Sequence, residues 1–127
     1  MTVLYIAGGG ALGSLARFFL SEGIAALFGA EFPWGTLIVN VSGSFAIGCA
    51  AGGGSSAGRW IDTAFTRQFV MAGLCGGYTT FSAFSLQTVN LLQAGEIGRA
   101  GLYIAASVAL CLLATVAGFA SATALTR

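Results

Sequence analysis

Histidine and lysine are missing from this chain of 127 residues, and only four side chains carry a carboxylate. Without His, and without acids inside the apolar stretches, no nucleophile-and-base pair and no zinc-type ligand cluster can be assembled. The chain does not read as an enzyme. Three cysteines, Cys49, Cys75 and Cys111, fall in three different apolar stretches with no Cys-x-x-Cys spacing. That argues against a disulfide framework, and they read as small, soft hydrophobes. The four acids, Glu22, Glu31, Asp62 and Glu96, sit at or beyond the ends of apolar stretches. Proton-coupled exporters generally rely on a carboxylate deep in the membrane, so that class is disfavoured too.

What the chain does have is apolar length. Hydrophobic residues make up 57% of it and charged residues 7%, where a soluble domain carries about a quarter charged. This is the composition of an integral membrane protein whose solvent is the lipid bilayer. Residues 1–16, 32–58, 68–95 and 100–126 are free of charge, and each is long enough to span at about 20 residues per crossing. We expect one four-helix transmembrane domain over 1–127, with helices near 3–27, 34–55, 68–93 and 99–125. Arg17 falls inside the first helix and is accommodated by snorkelling to the interface. No Lys or Arg precedes the first apolar run, so it reads as a crossing rather than a signal peptide. Small residues four apart (Gly9/Gly13, Ser44/Gly48, Gly48/Gly52, Gly73/Gly77) offer close helix contacts but no true repeat.

Four crossings put Arg59, Arg67 and Arg127 on one side, and Arg99 with an outward-reaching Arg17 on the other. Three against two is a very slight positive-inside bias. Insertion both ways round, followed by antiparallel pairing about an in-plane two-fold, and a single fixed orientation are about equally supported by that count.

The third segment holds the most telling run, Gly73-Leu-Cys-Gly-Gly-Tyr-Thr-Thr-Phe-Ser-Ala-Phe-Ser85. Glycines at 73, 76 and 77 and β-branched Thr79 and Thr80 are poor helix material. A break in hydrocarbon persists only where it is buried in protein or lines a polar cavity. We therefore expect two half-helices, with freed carbonyls able to hold a cation and helix ends offering partial charges to an ion. Phe81 and Phe84 share a helical face, as do Ser82 and Ser85. The phenylalanines either pack or present positive ring edges to a small anion. Asn40, with Thr36, Ser42 and Ser44 nearby, is either interhelical glue or a ligand-facing amide. Tyr103 and Ser107 lie one turn apart, with Cys111 and Thr115 continuing the row. They serve either interhelical hydrogen bonds or a polar track, and Tyr103 alternatively an interfacial belt.

Three stretches resemble the small bacterial fluoride channels of the Fluc (CrcB) family. They are Gly9-Gly-Ala-Leu-Gly-Ser-Leu-Ala-Arg17, Trp34-Gly-Thr-Leu-Ile-Val-Asn40 with Gly43-Ser-Phe45, and Gly76-Gly-Tyr-Thr-Thr-Phe-Ser-Ala-Phe-Ser85. The third is the most specific, and the resemblance spans the whole chain. It implies an all-α membrane protein of four transmembrane helices with the third broken, assembled as a dual-topology antiparallel homodimer in the bacterial inner membrane. It also implies two fluoride pores and a central structural sodium ion. Carried over by position, Asn40, Phe81 and Phe84 match pore residues, with Ser82 and Thr80 beside them, and Tyr103 and Ser107 match the start of a polar track. Gly76 and Thr79 match the residues whose carbonyls hold sodium, while Arg17 and Gly77 match structural positions. The next step of the track is Cys111, whose thiol is a weaker donor than a hydroxyl. Nucleic acid is not an expected partner.

The implied activity is physically coherent. Fluoride enters an acidified cell as the neutral acid and is trapped inside as the anion. An inside-negative potential drives the anion outward with about 2.3 kcal/mol per 100 mV, so a passive channel suffices for export. Strong hydration is the obstacle, and neutral donors would have to replace it in steps. Two alternatives are a proton-coupled exporter of the small multidrug type and a non-transporting assembly subunit.

Overall fold

The computed structural model describes residues 1–55 and 63–125. Arg59, Asp62 and Arg127, which entered the reading of charge and orientation, lie outside the described residues. Helix α1 spans Thr2–Phe28 and α2 spans Trp34–Ser55. Next comes α3, a π-helical stretch Thr66–Cys75 closed by an α-helical turn Gly76–Tyr78. Helix α4 covers Phe81–Gln93 and α5 covers Ile97–Leu125. Among the described residues, four helical spans are long and apolar enough to cross a membrane: α1, α2, α3 with α4, and α5.

Local chemistry sets the ends. Gly29 terminates α1 at φ 83°, donating its N–H to the Ala25 carbonyl at 2.8 Å. Pro33 stands directly before the next helix, where its missing N–H costs nothing, and its carbonyl accepts from Leu37 at 3.2 Å. Gly95, at φ 79°, closes α4 in a Schellman pair: its own N–H reaches Leu92 and that of Glu96 reaches Leu91.

Two seams of small residues hold the helices together. In one, α1 meets α3: a Cβ on Gly13 would strike the Leu74 carbonyl, and one on Gly77 would lie 2.7 Å from the Gly10 carbonyl oxygen. In the other, α2 meets α5, where Gly48 sits against Thr115 and Gly118 against Phe45. Backbones approach this closely only when side chains are absent, which is how helices gain dispersion contacts in a solvent that offers no hydrophobic drive. A small apolar core of Leu37, Phe84, Leu91, Ala100 and Tyr103 lies between α2, α4 and α5.

The break in the third crossing falls later than expected. Gly76 is helical at φ −64° and ψ −38°, and among the described residues only Gly29 and Gly95 have positive φ. The extended residues are Thr79 (φ −81°, ψ 156°) and Thr80 (φ −151°, ψ 116°). Gly77 is therefore small because it faces Gly10, not because its backbone needs a left-handed conformation.

Candidate functional site

Thr80 leaves the helix because its backbone groups are satisfied from elsewhere, while the Thr79 N–H keeps its helical partner, the Cys75 carbonyl, at 3.0 Å. The Asn40 amide meets Thr80 twice: Nδ2 donates to the Thr80 carbonyl at 3.0 Å, and Oδ1 accepts from the Thr80 N–H at 2.8 Å. Thr80 in turn caps α4, its hydroxyl accepting from the Ala83 N–H at 3.1 Å. The Thr79 hydroxyl donates to the Cys75 carbonyl at 3.0 Å. From α1, Arg17 Nη1 approaches the Thr79 carbonyl at 3.4 Å and the Ser14 hydroxyl approaches that of Gly77 at 3.5 Å. Ser42 and Tyr78 hydroxyls lie 2.8 Å apart. With its N–H turned to Asn40, Thr80 no longer serves the Gly76 carbonyl, four residues back.

Beside this break lies a cavity of about 380 Å³. Asn40, Thr80, Phe81, Phe84 and Ser107 all line it, as do Gly76 and Thr79 at the break. The rings of Phe81 and Phe84 have centroids 5.4 Å apart, and Phe84 stands 5.0 Å from Tyr103. Phe84 is buried, whereas Phe81 is 78% exposed on the subunit. The Ser107 hydroxyl is buried without a hydrogen-bond partner. A buried hydroxyl left unpaired is costly, and this one belongs to a residue lining the cavity. Among the described residues no charged side chain joins the lining, so what it offers is neutral donors, carbonyl oxygens and ring edges.

Two of the expected pore residues stand outside that lining. Ser82 is exposed, with its hydroxyl 3.3 Å from that of Thr80. Tyr103 is fully buried behind Phe84, and its hydroxyl donates to Gln87 Oε1 at 2.7 Å. It is therefore not an interfacial belt residue. Gln87 was not anticipated from the sequence. It lines a second cavity of about 370 Å³ with Thr36, Asn90, Glu22 and Glu31. Its spacing, three residues beyond Phe84 on the same helix, is the signal that points to it.

The family described as CrcB-like protein, Camphor Resistance (CrcB), matches residues 4–119. A protein of Opitutus terrae named fluoride-specific ion channel FluC is 54% identical over 122 residues, covering 96% of this chain and 92% of that protein. A relative of the same name from Methylocella silvestris is 50% identical over 127 residues, covering all of this chain and 97% of its own. Another, from Rhodospirillum rubrum, is 48% identical over 122 residues, covering 96% and 95%.

Proposed function

The chain belongs to the CrcB family, and from that premise we propose that it is a fluoride-specific ion channel of the bacterial inner membrane. It is a multi-pass membrane protein, not an enzyme, and it lets fluoride leave the cytoplasm passively. One observation supports this most: the cavity lined, among the described residues, by uncharged side chains, with Asn40, the paired rings of Phe81 and Phe84, and Ser107, whose buried hydroxyl has no partner. Asn40 spends one N–H on Thr80, and its amide nitrogen carries a second. That N–H, the Ser107 hydroxyl and the positive ring edges replace water around a small, strongly hydrated anion one partner at a time. Thr80 adds a hydroxyl at the lining with Ser82 beside it at 3.3 Å, and Tyr103 packs against Phe84.

The working unit in this reading is an antiparallel homodimer of oppositely inserted copies. Supporting it, Gly76, Phe81, Ser82 and Ser85, all within the third apolar span, are exposed on the single subunit. The serine hydroxyls find partners within the subunit, Ser85 on the Phe81 carbonyl at 2.9 Å and Ser82 beside Thr80 at 3.3 Å, but hydrocarbon offers the Gly76 carbonyl no donor or cation, and a second copy closes that face off from lipid. Sodium suits the break: carbonyl oxygens with no carboxylate nearby favour a singly charged hard cation. The Gly76 carbonyl, relieved of its helical donor, fits that role. The Thr79 carbonyl fits with Arg17 as a distant second partner at 3.4 Å, longer than an ordinary N–H···O bond. Two oxygens per subunit leave such an ion incomplete, and a two-fold copy supplies two more. When bound, sodium contributes fixed positive potential beside the anion paths.

Liposomes holding only this protein test the function: fluoride efflux is expected with chloride retained. Equal release of the two ions refutes selectivity, and proton-dependent release would favour an exporter.

A further inference from the structure

The row on α5 that carries Ser107 continues, one turn on, with Cys111, and both residues line the 380 Å³ cavity. Cys111 is partly exposed, whereas Cys75, the other thiol on that wall, is 4% exposed. Cys49 lies on α2 outside the lining and is also partly exposed, so the chain carries its own control thiol. A cysteine alone marks nothing. Here it adjoins Ser107, a residue of the same wall that is 6% exposed and whose buried hydroxyl has no hydrogen-bond partner. An unpaired donor so placed calls for a hydrogen-bonding occupant, water or anion, within reach of that wall.

We propose that Cys111 is a thiol-modification site in the ion path, taking oxidised sulfur compounds of the thiosulfonate or disulfide class and closing the path reversibly. Residues four apart on a helix lie about 5–6 Å from each other at Cβ. A disulfide bond of about 2.05 Å plus the attached group reaches that distance, so an adduct on Cys111 covers the Ser107 hydroxyl. The step needs the thiolate, which forms where water reaches the sulfur. With an anionic methanethiosulfonate, the thiolate sulfur attacks the sulfenyl sulfur. A new S–S bond forms, the S–SO2 bond breaks, and methanesulfinate leaves with the electron pair. The product places a fixed sulfonate charge where an anion must pass. A dithiol reverses it by exchange, being oxidised to its cyclic disulfide as the attached thiol is released.

The closure rests on the cavity being the fluoride path, and the labelling is read independently of it. The full chain in liposomes is treated with 2-sulfonatoethyl methanethiosulfonate, adducts are mapped by mass spectrometry, and fluoride efflux is followed. Cys111 is expected to label faster than Cys49, with efflux falling about tenfold or more through like-charge repulsion and returning on addition of a dithiol. The Cys111→Ala variant, compared with its own untreated rate, should not respond. Cys111 labelled with efflux unchanged, an effect that persists in Cys111→Ala, or labelling no faster than at Cys49 would each overturn the proposal. If the untreated chain passes no fluoride, the channel reading fails and labelling decides. Preferential reaction at Cys111 then supports a water-reached site, and equal reaction overturns it.

Discussion

Substituting Gly77 by Ala tests the packing account of the break most directly. The added methyl would lie 2.7 Å from the Gly10 carbonyl oxygen and 3.0 Å from the Gly10 Cα, both backbone atoms that cannot swing away. Ordinary contact begins near 3.4 Å, so α1 and α3 must part by roughly 0.7 Å. Overpacking of this kind costs about 1–3 kcal/mol. The separation also acts on the site, because Ser14 and Arg17 reach the Gly77 and Thr79 carbonyls at 3.5 and 3.4 Å, already at the limit of a hydrogen bond. Both contacts should be lost and fluoride efflux should fall sharply. Gly101→Ala is the control: its Cβ meets nothing within 4 Å and it sits within α5. There the substitution should be neutral or stabilise by up to about 1 kcal/mol through helix propensity. Thermal unfolding in detergent and liposome efflux give the two readouts. A Gly77→Ala protein that melts and conducts like the parent would refute the seam argument.

Three further outcomes are expected. Phe81→Ile and Phe84→Ile should each reduce efflux by removing a ring edge. Only Phe84→Ile should also lower the melting temperature, by the equivalent of about 1 kcal/mol, because Phe84 alone is buried; unchanged efflux in both returns the rings to packing. Asn40→Ala removes both bonds to Thr80 and should destabilise by about 1–3 kcal/mol, seen as faster hydrogen exchange at the Thr80 amide, with efflux abolished. Two or three lysines added within residues 56–67 should fix one orientation and silence the chain, with activity returning when a copy fixed the other way is co-expressed; full activity of the singly oriented form argues against an obligate antiparallel pair.

The crossings were legible because charge is expensive in hydrocarbon. The charge-free stretches locate four spans, and α2 begins at Trp34 as read, with Pro33 directly before it. The break was legible as existing but not as placed. Low helix propensity looks the same whether a glycine loosens the backbone or lets another helix approach, and at Gly77 the second cause operates. The side chains that hold the break also escaped the sequence, since Asn40 and Thr80 are forty positions apart and only tertiary packing pairs them. Of the site, Asn40, Thr80, Phe81, Phe84 and Ser107 gather at one cavity, a meeting that residue types and spacing alone left open between packing and a lined path. Tyr103 differs because helical spacing gives a face but not a depth: it shares a row with Ser107, yet lies behind Phe84 and bonds to Gln87.

The side chains serving the break share one further property, their place in the order of synthesis. Ser14, Arg17 and Asn40 all precede the groups they satisfy at Gly77, Thr79 and Thr80. A chain emerging from its N-terminus places the first two crossings in the bilayer before the third is made. The discontinuous crossing therefore enters lipid with the amide that completes Thr80 already there. In the reverse order, the same polar groups would face hydrocarbon alone, at several kcal/mol each. Biogenesis and the finished hydrogen-bond pattern thus run in the same direction, and moving Asn40 to a position after residue 80 would have to solve an insertion problem that this chain never meets.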